Sequence, residues 1–436
     1  MSLQLTIDTH LWKKNNSMSI GIKSEIDPLR LVITHRPGKE HEYITPDNLV
    51  EKIENNNKIE NNPNYLLFDD IIYVPKARKE HNSLYEILHY FTDGNCYEFT
   101  DLLAVVLKNN EVRNKLINEC IELENKLYNN LITSNVFEEL DTNNLINTLL
   151  SGYIETEKIF THPIPNLIFT RDIAVCIGRT ILITWSKKHV RKRENILAKY
   201  VFKYYESFKN LSVYDFKKHH DNLTIEGGDI LIFNKDIACI GISERTPIES
   251  ISQISNLFYK EGFKKIIAID LPKKRALMHL DTIFTRISKD EVLVFPPILD
   301  KNVNEHLNKT FIFENNKNIP IETDMDLITL LNKEDLNIHF IKCGSNSKIM
   351  QKREQWTDGA NAFALSPGKI IGYDCNKYTI QELEKFGYQK ISSDDYISNY
   401  KDYNDSKNKL IITINGSELS RGRGGPRCLT LPLFRI

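Results

Sequence analysis

Apolar residues recur along this chain in two rhythms. From Val112 to Leu131, the apolar positions Leu116, Cys120, Leu123, Leu127 and Leu131 fall at steps of four, three, four and four, one face of a helix. Shorter helical patterns continue through Leu150, so residues 105–155 are predicted to form a small helical segment. Elsewhere, short apolar runs come in pairs. Asp172 opens IAVCIGRTILITW, Asp229 opens ILIFNKDIACIGIS, Asp281 opens TIFTRISKDEVLVFP, and Asp358 begins DGANAFALSPGKIIGYD. Turn residues separate the two runs of each pair, which predicts β-hairpins. Asp70, followed by IIYVP, is a fifth candidate. Helical patterns follow several hairpins, over 195–204 and 248–258. A hairpin-plus-helix unit recurring every ~50–80 residues predicts an α/β fold packed pseudosymmetrically around a centre. The four aspartates would then converge on that centre, where acidic groups suit a cationic ligand. Ordinary turn chemistry also places Asp before a strand. The Asn-rich stretch Glu54 to Asn64 predicts a mobile polar loop.

Composition narrows the classes. The 436 residues allow two or three domains, or one large α/β domain. With 41% apolar and 26% charged residues, the chain fits a soluble globular protein. Its 57 basic and 58 acidic side chains leave a net charge of −1, which argues against a nucleic-acid or anionic-membrane partner. No window approaches the ~18 consecutive apolar residues of a membrane span. The opening MSLQLTIDTHLWKKNNSM has no apolar signal region, so a cytoplasmic location is expected. Seven scattered cysteines without a CxxC pair predict neither a disulfide framework nor a zinc ribbon.

Three segments could carry chemistry. In IEGGD, Ile225 to Asp229, two glycines follow a carboxylate; they form a tight turn or admit a close ligand. In MHLD, His279 and Asp281 stand two apart and would share one face of a strand, an acid–base arrangement unless the histidine is structural. In SRGRGGPRC, Ser420 to Cys428, three arginines and three glycines lead into a cysteine, and positive charge favours its thiolate. An RGG-type nucleic-acid segment or a plain flexible tail is the alternative there. With no HExxH, P-loop, dinucleotide fingerprint or EF-hand loop, neither a metal nor a cofactor is expected. The residues alone support a cysteine hydrolase or transferase acting on a cationic substrate.

Taken together, these segments resemble the arginine deiminase family of the guanidino-group modifying (pentein) superfamily. The resemblance is carried in order by SEIDPLRLVITHRPGKEHEYITP (24–46), LLFDDIIYV (66–74), PNLIFTRD (165–172), IEGGD, GISERT (241–246), MHLDTIFT, QWTDGANAFAL (355–365) and SRGRGGPRC. It implies a five-fold pseudosymmetric α/β propeller over residues 1–436, with the helices of 105–155 as an insert. It implies Cys428 as nucleophile, His279 as general acid then base, and Glu226 as support for substrate and His279. Asp172 and Asp281 would grip the guanidinium. Asn166, Arg191 and Arg245 would bind the α-carboxylate, with Arg193 a possible substitute for Arg191. Arg423 matches an arginine beside the nucleophile that gates the pocket. The implied reaction is hydrolysis of L-arginine to L-citrulline and ammonia by a homodimer or homotetramer. Amidino transfer, deimination of agmatine, and a catalytically dead binding protein are the competing functions. Two departures from the family pattern stand out: the Asn-rich stretch reads as an insertion, and Arg427 occupies a variable position next to the nucleophile. Two aspartates and a glutamate beside the thiol should raise its pKa until a guanidinium cancels their field.

Overall fold

The computed structural model describes residues 21–55, 58–298, 309–315, 317, 319–334 and 336–436. Five of its sheets share one plan: an antiparallel pair, then a helical crossover to a parallel strand. In the first complete unit, Ala174–Ile177 pairs antiparallel with Thr180–Ile183, and helix Lys192–Tyr204 leads to the parallel strand Ser212–Asp215. In the second, Ile230–Leu231 and Ile237–Ile242 precede helix Ile248–Lys260 and strand Lys265–Asp270. Phe284–Arg286, Glu291–Val294 and His339–Lys342 repeat the plan, as do Phe363–Ser366, Lys369–Tyr373 and Lys409–Ile414. The fold is therefore mixed α/β. Isoleucine, valine and leucine dominate these strands, and both faces are buried in Ala174–Ile177 and Ile237–Ile242, as expected for sheets covered on both sides.

The fifth sheet differs from the sequence expectation. Asp70 opens no strand; residues 71–73 are irregular and run into helix Val74–Phe91, while the Asp70 carboxylate pairs with Arg421 at 2.8 Å. The fifth antiparallel pair instead joins Leu431–Arg435 to Leu29–Thr34, about 400 residues apart, and the parallel partner is Cys96–Glu98. In each sheet one residue sits just ahead of the first strand: Asp172, Asp229, Asp281, Asp358 and, in the fifth, Cys428.

Helices Phe99–Val106, Asn110–Tyr128 and Thr142–Ser151 follow Cys96–Glu98 in the chain. The side chains of Asn109 and Asp141 cap the second and third by accepting backbone N–H bonds. The second ends at Asn129, which takes a left-handed conformation at φ 54°. Leu131 therefore lies beyond the helix and is 93% exposed, outside the stripe expected for it. Leu116, Cys120 and Leu149 share one core with Ile181 and Leu182 of the first complete sheet. In and beside the Asn-rich stretch, Lys52–Asn55 pairs antiparallel with Lys58–Asn61, and the latter strand is exposed. Among the described residues, no helix is long and apolar enough to cross a membrane.

Candidate active site

One narrow cavity gathers Cys428, His279, Asp172, Asn166, Arg191, Arg245 and Arg423 along its wall. Glu226 and Asp281 reach it through His279 and Cys428. All nine residues expected from sequence are buried and together.

Short turns at the sheet ends deliver these side chains. His279 and Asp281 do not lie on a strand, as expected, but on the entry to a single 3₁₀ turn, Leu280–Thr282. The turn is pinned by Asp229, whose Oδ1 accepts from the Leu280 N–H at 3.1 Å and whose Oδ2 accepts from Ser243 at 2.6 Å. Asp229 thus holds the site from behind rather than converging on the ligand. The glycines of IEGGD serve close packing. A Cβ on Gly228 would sit 2.6 Å from His279 Nδ1 and 2.9 Å from Asp172 Oδ1.

Cys428 Sγ lies 3.7 Å from Asp281 Oδ2. Asn361, which the sequence did not single out, accepts from the Cys428 N–H at 3.1 Å and donates to the Asp281 carbonyl at 2.9 Å. Burial pushes the thiol pKa well above its ordinary value, and Asp281, Asp172 and Asp358 push the same way against Arg427. His279 Nε2 meets Glu226 Oε2 at 2.8 Å, while Nδ1 stands 3.7 Å from Asp172 Oδ1. Burial alone would discharge this imidazole, but Asp172, Glu226 and Asp229 outweigh it and hold the pKa up to about 9. Glu226 resists burial because Arg245, His279 and Arg191 keep its carboxyl well below the usual range. Near neutrality the site therefore holds a thiol and an imidazolium.

The arginines divide. Arg191 is held by carboxylates: Nη1 to Asp172 at 2.7 Å, Nε to Glu194 at 3.0 Å, and Glu226 at 3.7 Å. Arg193 turns away and donates to the carbonyls of Leu149 and His162, over the Phe160 ring. Arg245 lies 3.7 Å from Glu226, and its buried Nε makes no hydrogen bond, with Glu244 at 4.0 Å. Arg423 takes a left-handed backbone at φ 67°, stacks on Trp356 at 4.0 Å, and donates to the Trp356 carbonyl. A non-glycine residue there stores strain of ~1–3 kcal/mol. Arg275 and Asp69 also border the entrance, with Asp69 joining Arg275 at 3.3 Å to Arg423 at 3.5 Å. Arg427 points inward, donating to Asp281 Oδ2 at 2.6 Å and pairing with Glu25. Nothing in the local sequence marked Asp69, Arg275 or Glu25, because their partners lie 200–400 residues away.

Asp172, Glu226 and His279 offer ligand atoms within 4.8 Å of one another and could by geometry hold a metal. Arg191 already places its guanidinium on two of the three, so a second cation would face direct repulsion. The arrangement suits a planar organic cation better: carboxylates match the guanidinium fork, and a thiol stands beside them.

These groups define a thiol-dependent site for a guanidinium-type cation. Comparison with known proteins agrees. The profile of the arginine deiminase family matches residues 64–435. The chain is 34% identical to the arginine deiminase of Mycoplasma capricolum subsp. capricolum over 438 residues, 95% of this chain and 97% of that one. It is 33% identical to that of Staphylococcus aureus strain JH9, covering 95% and 98%. The chain belongs to the arginine deiminase family. Among solved structures, the N-terminal domain of ArgZ, an arginine dihydrolase from cyanobacteria, aligns at a TM-score of 0.42 and 17% identity, covering 62% of this chain and 76% of that one. AgrE aligns at 0.42 and 16%, and this chain spans 31% of its length.

Proposed function

We propose that this protein hydrolyses L-arginine to L-citrulline and ammonia, with Cys428 as nucleophile. The observation that carries the reading is the buried convergence of Cys428, Asp281, Asp172 and the His279–Glu226 pair. The incoming guanidinium is gripped by Asp172 and Asp281, each of which keeps acceptor capacity; Asp281 Oδ1 is buried without a partner. Its positive charge offsets the carboxylates that hold the thiol protonated, and the thiol releases its proton to solvent. The thiolate attacks the guanidinium carbon and forms a neutral tetrahedral adduct. His279 gives its proton to the departing nitrogen, ammonia leaves, and a cationic S-alkyl thiouronium remains on Cys428. Neutral His279 then takes a proton from water, and the hydroxide adds to the same carbon. The C–S bond breaks, and the proton of the added hydroxyl passes to the departing thiolate, giving the ureido group of citrulline and restoring the thiol.

Glu226 holds His279 Nε2, leaving Nδ1 for proton transfer. We assign the α-carboxylate to Asn166, Arg245 and Arg191, and the entrance to Arg423. The Nε of Arg245, which makes no hydrogen bond, supports that role most directly, and Arg193 is set aside because it faces the helices. The five like sheets, each preceded by an aspartate or by Cys428, support a five-fold pseudosymmetric propeller in one catalytic domain. The core shared with the first complete sheet supports reading 105–155 as an insert. We also propose a cytoplasmic homodimer or homotetramer that needs no cofactor.

The test is a paired product assay with L-arginine, agmatine and the C428A variant. Equimolar citrulline and ammonia from arginine alone, absent in C428A, is the expected result. Turnover of agmatine would remove the carboxylate assignment. No product from either would refute the reaction, and an added amine acceptor would then test amidino transfer.

A further inference from the structure

Behind the nucleophile lies a second chamber, on the far side of Arg427 from the thiol. Arg171, Arg286, Arg427 and Arg435 line it with Glu25. All four arginines are more than nine-tenths buried. The chamber offers about 10 Å³ to the centre of a water-sized sphere, room for one small body.

The charges around it do not balance. Glu25 and Asp281 both pair with Arg427 and leave one negative charge in excess there, so among the described residues the four arginines meet only these two paired carboxylates. Among the described residues, no carboxylate lies in ion-pair contact with the other three. Arg286 donates to the carbonyls of Phe233, Ser288 and Lys289. Arg435 donates to those of Asp27 and Ala364, and its buried Nε is unpartnered. The Arg171 side chain makes one hydrogen bond, Nε to the Arg427 carbonyl at 3.3 Å, and among the described residues its Nη groups meet no acceptor. Burial and the facing Arg427 disfavour the charge on Arg171, Glu25 and Asp281 favour it without touching it, and a guanidinium does not give up its proton in proteins. A buried, unpaired charge is costly, and an anion in contact with it removes that cost.

We propose that this chamber binds one small inorganic anion of halide size, held by the free Nη groups of Arg171 with Arg435 Nε facing it. The anion supports the nucleophile from behind. The Arg171 N–H donates to the Cys428 carbonyl at 3.1 Å, and its side chain holds the Arg427 carbonyl. Arg427 in turn fixes the Asp281 oxygen nearest the thiol.

The test uses sodium bromide against sodium gluconate at matched ionic strength. The expected melting temperature rises with bromide in a saturable way, by about 1–3 °C at tenfold excess over Kd. Crystals grown in bromide should show an anomalous peak within hydrogen-bond distance of Arg171. Arg171→Gln should lose the bromide dependence; if that variant does not fold, the wild-type titration and the crystal still decide. Equal melting temperatures with no peak overturn the proposal. A peak without a saturable thermal effect marks an adventitious ion only and overturns it too.

Discussion

Replacing Glu226 with Gln removes one charge and keeps the shape of the side chain. The amide oxygen can still accept from His279 Nε2, which is 2.8 Å from the carboxylate in the native protein. The charge assistance is lost. Hydrogen bonds to charged groups contribute ~1.5–3 kcal/mol against ~0.5–1.5 for neutral ones, a difference of roughly 1–1.5 kcal/mol, or about one pH unit in the imidazole titration. Arg191 and Arg245, each 3.7 Å from Glu226, lose part of their counter-charge and repel the imidazolium further. The His279 pKa, about 9 in the native protein, should therefore fall to roughly 7–8. The linked stability follows. The folded pKa lies above the unfolded value of ~6.5, so this contribution is fully present below ~6.5 and is lost as pH rises through about 9. In E226Q the loss runs through roughly pH 7–8 instead. NMR titration of labelled histidine reads the pKa directly, and the alkaline limb of kcat/KM should move with it. A His279 titration unchanged in E226Q, with an unchanged limb, would refute the claim that Glu226 sustains the imidazolium.

Three further outcomes are expected. Alkylation of Cys428 by iodoacetamide should show a midpoint above the ordinary thiol value of ~8.5, since burial and three aspartates raise it; a midpoint below neutrality sinks the reading. Gly228→Ala should cost ~1–3 kcal/mol of stability and most of kcat, because the new methyl meets His279 and Asp172; normal kinetics would show that the turn can shift without cost. Arg245→Met should lower kcat/KM for arginine by about 10–150-fold, the loss of one charge-assisted hydrogen bond, while Arg193→Met should lower the melting temperature and leave KM unchanged. The reverse pattern would exchange the two assignments.

The sequence revealed most where a local pattern did the work. Aspartate before an apolar run marked four of the five sheets, because each hairpin is built from neighbouring residues. The same rule misassigned Asp70, because IIYVP carries strand-forming residues but its proline starts a helix. The true fifth pair was invisible locally, since Leu31 meets Phe434 across almost the whole chain. His279 and Asp281 were found together for a partly wrong reason: a 3₁₀ turn, not strand alternation, brings them to the site. Glu25, Asp69 and Asn361 escaped notice because each acts through a long-range partner that no spacing encodes.

The pairing of Leu29–Thr34 with Leu431–Arg435 sets a clock on biosynthesis. At ~5–20 residues per second, a ribosome takes roughly 20–80 s to make the partner of the early strand. Throughout that interval the strand has Cys96–Glu98 on one side and an open edge on the other, the kind of edge that recruits foreign strands. Cys428 emerges only just ahead of the closing strand, so no nascent chain can be active before closure. The last few residues to be made thus complete both the sheet and the site.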